Sequence, residues 1–132
     1  MIAGAVLDTS AIIAFGRGSP DAMLLIDQYD MKAQALLVPM TAMAEALTRL
    51  TAPHEAERAL YLLEIGVVID DGLGRENVRS VATAGLEAKA ETTLGAAHAA
   101  HAAQERSWKV LTGDRGHWAT AHPDIDAVSW AP

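Results

Sequence analysis

The stretch IAGAVLDTSAIIAF (residues 2–15) decides how the rest of the chain is read. IAGAVL (2–7) is a short apolar run without polar alternation, the pattern of a strand covered on both faces. Asp8, Thr9 and Ser10 follow at once, and their side-chain oxygens suit the capping of the helix that AIIAF begins. A buried strand that passes into a helix through an acid is the opening of an alternating α/β arrangement.

Outward from this unit the alternation continues. Ser19-Pro20-Asp21 starts a second helix, with Ala22, Leu25, Ile26 and Tyr29 at helical spacing. ALLV (35–38) reads as a strand that Pro39 ends. TAMAEALTRL (41–50) carries a helix stripe of Met43, Leu47 and Leu50, and Pro53 opens another helix that runs through Leu63 and stops at Gly66. GVVID (66–70) is a strand and DGLG (71–74) a turn. Helix is expected over 75–90 and again through an alanine-rich segment to Arg106. WKVLT (108–112) is a strand, and residues 125–130 form a last edge strand. The order predicts an α/β fold with a largely parallel sheet.

With 132 residues, 51% of them hydrophobic and 20% charged, the chain reads as one globular domain over 1–132. It has no cysteine, which excludes a disulfide framework, a zinc ribbon, an iron–sulfur cluster and a thiol nucleophile. The N-terminus lacks a basic leader and is broken by Asp8, so a cytoplasmic protein is expected. No run approaches the roughly 20 apolar residues of a membrane span. The net charge of −7 argues against simple coating of nucleic acid. It is compatible with a nuclease, because clustered carboxylates are what hard divalent cations require.

In open parallel sheets, ligands bind beyond the carboxyl ends of the strands. Two acids meet that condition: Asp8 follows the first strand, and Asp114 lies two residues past WKVLT. Each alone is as well explained by a helix cap or a turn. Together, at two strand ends, they favour a site. Glu45 falls opposite the Met43 stripe, so helix geometry favours a solvated glutamate paired with Arg49 at i+4. Asp70 and Asp71 read as turn residues. No G-x-G-x-x-G, G-x-x-x-x-G-K-[ST] or G-x-S-x-G occurs, which disfavours a flavodoxin-like domain, a P-loop and a serine hydrolase.

VLDTSAIIA (6–14), AEALTRL (44–50) and VLTGD (110–114) resemble, in order, three signature segments of the PIN-domain family, most of all its compact VapC-like ribonuclease toxins. The resemblance implies an α/β/α sandwich and an acidic site that holds Mg²⁺ or Mn²⁺. It carries Asp8, Glu45 and Asp114 over as the first, second and fourth acids and as metal ligands, which overrides the helix-geometry reading of Glu45. Thr9 and Thr112 would support them. A hard cation would relieve the mutual repulsion of such carboxylates and orient a water.

The family's third acid commonly opens a D-A-H-A-A-A helix about eighteen residues before the fourth. In LGAAHAAHAA (94–103) that position holds Ala96, with Ala97-His98-Ala99-Ala100 in register. The resemblance therefore implies a catalytic helix without its acid. An Asp→Ala change by design, a naturally degenerate site, or Glu91 reaching in from upstream would each account for it. His98 and His101 could share a helix face but lack accompanying carboxylate spacing. They read as packing or surface residues, His54 as a helix-start residue, and His117 and His122 as residues that could meet phosphate or cap a short helix; none is assigned as a ligand. The leading expectation is a metal-dependent endoribonuclease impaired by Ala96, with Arg17, Arg49 and Arg115 as weak RNA contacts. The alternative is an inactive PIN scaffold that binds RNA or protein. The resemblance further implies a homodimer and a cognate antitoxin, whose apolar docking surface would come from the helices at 22–31 and 41–63.

Overall fold

The computed structural model describes residues 3–130. Five strands form one all-parallel sheet: β1 (Ala5–Leu7), β2 (Leu36–Pro39), β3 (Val68–Asp71), β4 (Lys109–Thr112) and β5 (Ala127–Ser129). Their order across the sheet is β3-β2-β1-β4-β5. The chain thus builds leftward from β1 and then returns to its other side. The switch point lies between β1 and β4, where an α/β sheet opens its crevice.

Side chains alternate across the sheet with the strand period of two. Ala5, Leu7, Leu36 and Val38 face one layer with Ile12, Phe15, Met43 and Leu62. Val6, Leu37 and Val110 face the other, against the alanines of the sixth helix and Trp118. The first layer holds α1 (Thr9–Gly16), α2 (Pro20–Met31), α3 (Met40–Arg49) and α4 (Pro53–Tyr61). The second holds α6 (Leu94–Arg106) and α7 (Arg115–Ala121), with α5 (Val78–Leu86) packed on α6. This is an α/β/α sandwich, as the PIN resemblance implied.

The alanine content of α6 has a packing cause. Gly95 to Ala100, Ala102 and Ala103 are all buried, so the helix is covered on nearly every side. A helix in that position needs small side chains all round rather than one apolar stripe.

Several expected boundaries move. Of the strand expected over 2–7, Ile2 lies outside the described residues, and the strand is Ala5–Leu7. Pro39 closes β2 from inside, with Pro39 and Asp71 paired across the two strands. Asp70 and Asp71 belong to β3 rather than to a turn. The helix expected over 75–90 is only Val78–Leu86. Residues after it are drawn toward the second layer, where Lys89 N donates to Ala121 O, and Thr93 then starts α6 by accepting from Ala96 N. The short α7, too brief to show periodicity, matches the short helix that His117 or His122 could cap, and His122 is its C-cap. None of the helices among the described residues is long and apolar enough to cross a membrane.

A hollow of about 560 Å³ on the α6–α7 side is bounded by Lys89, Gln104, His122 and Ile125, among others. His122 is buried, shares a hydrogen bond with Thr92 Oγ1 at 2.9 Å, and titrates below its ordinary range, first through burial and then through the charge of His117. A depressed imidazole binds fewer protons folded than unfolded, so its contribution is complete above about pH 6.5 and declines as pH falls toward the folded value. Urea melts at pH 7.5 and 5.5 should show that decline, and His122→Gln should flatten it. An unchanged pH dependence in the variant would remove His122 as its source.

Candidate functional site

The cleft at the β1/β4 switch point has a volume of about 550 Å³. Asp8, Glu45, Ala96 and Asp114 all line it, together with Thr9, Arg17 and Arg49. Arg115 does not; it borders a separate depression near Asp124. Glu91 is exposed in the segment before α6 and is not part of the cleft wall. His54 is exposed on α4, and His101 pairs with Glu105 at 3.0 Å.

Asp8 is placed by the sheet and spent on its neighbours. Its N–H donates to Leu111 O at 3.3 Å, which fixes it between β1 and β4. Its side chain caps α1, with Oδ1 accepting from Ala11 N at 2.9 Å and from Ser10 Oγ at 2.6 Å. Oδ2 accepts from Trp118 Nε1 at 2.9 Å. Asp8 is only 6% exposed. A carboxylate this buried needs donors or a cation, and here three donors are supplied by the chain itself.

Asp114 is exposed and caps α7, its Oδ1 accepting from His117 N at 3.1 Å. A relay of hydroxyls joins it to Asp8. Asp114 N donates to Thr112 Oγ1 at 2.9 Å, and Ser10 Oγ accepts from Gly113 N at 2.8 Å. Because the Ser10 proton is directed at Asp8, the 3.3 Å contact between Ser10 and Thr112 has Thr112 as donor. Ser10 was expected only as a capping residue; it ties the two strand ends together.

Glu45 departs from the solvated reading. No ion pair with Arg49 forms among the described residues; instead Glu45 Oε1 accepts from Gly95 N at 2.6 Å, at the start of α6. Position 95 must be glycine for this approach. A Cβ there would lie 2.8 Å from both Glu45 Oε1 and Thr9 Oγ1, and 3.0 Å from Ala42 Cα. Helix periodicity had put Glu45 on the outer side of α3, and it is α6, folded across that side, that gives it a partner. Thr9 Oγ1 is buried beside it and has no hydrogen-bond partner among the described residues, so a polar acceptor or donor is wanting at this wall of the cleft.

His98 is fully buried and joins three elements. Its Nε2 meets Asp71 Oδ2 at 2.9 Å, and its Nδ1 meets Thr41 Oγ1. A carboxylate only accepts, so Nε2 carries a proton and, in the neutral ring, Nδ1 accepts from Thr41. Hydroxyl, imidazole and carboxylate in this order match a nucleophile triad. However, none of the three lines the cleft, and the imidazole is sealed from solvent. The arrangement is a clasp between α3, α6 and β3.

The donor set can be tested against the cation that the resemblance implies. Among the described residues, no three His, Cys, Asp or Glu side chains gather closely enough to hold one ion. Both Asp8 oxygens carry donors, Glu45 holds Gly95 N, and the fourth corner is the Ala96 methyl. As it stands the set does not fit a resident divalent cation. Sequence reasoning had missed Trp118, whose indole N–H completes the Asp8 shell, and Trp130, which also lines the cleft. The available signal was the spacing of Trp118 four residues after Asp114, one helical turn from the cap.

A comparison with curated proteins finds no match. Solved structures share the fold. A DNA-bound VapBC from Salmonella typhimurium aligns with TM-score 0.71 at 16% identity, over 99% of this chain and 100% of that one. VapBC2 from Rickettsia felis, bound to a promoter DNA fragment, gives 0.71 at 12%, over 98% and 99%. A toxin–antitoxin complex from Klebsiella pneumoniae gives 0.66 at 15%, over 96% and 98%. The family model for the PIN domain matches residues 5–122, and the chain belongs to the PIN-domain family.

Proposed function

We propose that this chain is a cytoplasmic PIN-type endoribonuclease toxin whose cation site lacks one acid, so that it cleaves RNA phosphodiesters slowly. PIN nucleases generally use divalent metals, Mg²⁺ or Mn²⁺ in this reading. The observation that carries it is Ala96, whose methyl occupies the wall of the cleft that Asp8, Glu45 and Asp114 also line. The orphaned Thr9 hydroxyl and the head of α6 lie beside that position, where an added carboxylate would find donors. Arg17 and Arg49, at the same cleft, supply positive charge for an RNA phosphate, and Arg115, next to Asp114, lines a separate depression beside it. In this reading the partner is a cognate antitoxin, in keeping with the complexes that share the fold, and the toxin pairs with a second copy of itself, as the PIN resemblance implies.

A second reading, a PIN scaffold that holds RNA or protein without cutting, is favoured by one observation: Asp8 is already satisfied by three donors of its own chain. One experiment separates the two. Mn²⁺ binding is measured calorimetrically for the chain and for Ala96→Asp, and both are assayed on structured RNA. Restoring the acid should tighten Mn²⁺ binding and raise cleavage about 10²-fold, the scale by which a misplaced attacking group slows a reaction. If Ala96→Asp folds, yet neither binds more metal nor cuts, the scaffold reading takes over.

A further inference from the structure

We propose that α7 is an internal competitor for the cation site, with the Trp118 indole N–H as its decisive contact. The inference rests on the reading of the cleft as a PIN site, and it concerns what sets that site's cation affinity. Both strand-end acids are engaged by this one short helix. Asp114 caps it through His117 N, and Asp8 Oδ2 accepts from Trp118 Nε1 at 2.9 Å.

The competition is direct. Asp8 has about four lone-pair directions, of which Ser10, Ala11 and Trp118 take three. Ser10 and Ala11 take both directions of Oδ1, so a cation is left the one free direction of Oδ2, beside the indole proton. A positive hydrogen and a divalent ion on the same oxygen repel each other. An ion held there would sit against the indole N–H, or would require that hydrogen bond to open. The Trp118 ring does not yield readily. It is 1% exposed, packs among Val6, Leu37 and the α6 alanines, and meets the His122 ring at 5.0 Å between centroids. Ala96 and Trp118 thus weaken the site independently: the first removes a ligand, and the second occupies one that remains.

Trp118→Phe separates the two effects, since it keeps an aromatic ring in the core and deletes only the donor and some area. Mn²⁺ binding is followed by the loss of the free-ion electron paramagnetic resonance signal, in four proteins: the unchanged chain, Ala96→Asp, Trp118→Phe and the double variant. Removing a competing charge-assisted hydrogen bond should tighten Mn²⁺ binding about tenfold in the Ala96→Asp background. A second measurement reads the Trp118 indole N–H itself. In ¹⁵N-labelled Ala96→Asp, Mg²⁺ should shift the Trp118 Nε1–H resonance, assigned by its absence in Trp118→Phe, more than those of Trp108 and Trp130. Ala96→Asp that binds Mn²⁺ with an affinity indifferent to Trp118→Phe, and with an unmoved indole resonance, overturns this proposal and leaves the PIN reading standing. If no variant binds Mn²⁺ while thermal melts show all four folded, both fail together.

Discussion

Asp8→Ala is expected to destabilise the protein by about 3 kcal/mol. The sum is the loss of a helix N-cap, about 1 kcal/mol, and about 2 kcal/mol for a buried donor left without an acceptor. Ala11 N loses its cap, and Trp118 Nε1, on a residue 1% exposed, keeps no partner in the core. The direction matters more than the size. In a cleft where acids face one another and wait for a cation, deleting one relieves repulsion and stabilises the metal-free protein. Here the carboxylate is a structural acceptor for three donors, so its removal should do the reverse. Urea denaturation in the presence of a chelator measures the difference. Unchanged or raised stability would mean that Asp8 is poised for a cation after all, and that its hydrogen bonds are incidental. Asp8→Asn should fall between, since its single carbonyl oxygen can serve either the α1 cap or the indole but not both.

That double character of Asp8 explains what the sequence made legible. The βα alternation was readable because β1 and β2 are short apolar runs closed by a capping aspartate and a proline, and β4 runs into Gly113. The parallel order then placed Asp8 and Asp114 at neighbouring strand ends. The bland reading of Asp8 as a cap holds as geometry; Asp114, read as a turn residue, is a helix cap instead, and each caps a helix while lining the cleft. Glu45 was misjudged by helix periodicity because its partner, Gly95 N, comes from fifty residues away and leaves no local trace. The family resemblance supplied what periodicity could not. Trp118 and the end of the helix at Leu86 escaped for the same reason: each is decided by a contact across the fold, to Asp8 in one case and from Lys89 to Ala121 in the other. Long-range partners override local preference wherever a segment is short.

His98→Ala should cost about 3 kcal/mol, through a cavity under α6 and an unpaired hydroxyl at Thr41. His98 has no exposed surface, whereas the side chain of Asp71 is 25% exposed and takes water in place of the lost imidazole. The burden therefore falls on the Thr41 side and on the void, and Asp71→Ala alone should cost under about 1 kcal/mol, in the range of half-exposed pairs. Thermal melts of the two variants give the ratio, and a milder loss for His98→Ala than for Asp71→Ala would refute the clasp. The consequence reaches the cleft. Thr41 lies one helical turn before Glu45 on α3, and His98 lies three residues after Gly95 on α6, so the imidazole holds together the two helices between which Glu45 and Gly95 bond. His98→Gln, which keeps a donor and an acceptor on a shorter planar group, should recover part of the stability. In the Ala96→Asp background it should also recover more Mn²⁺ affinity than His98→Ala. A residue that served packing alone would restore stability without restoring metal affinity, because volume fills a core but does not set the spacing of α3 from α6 at Glu45.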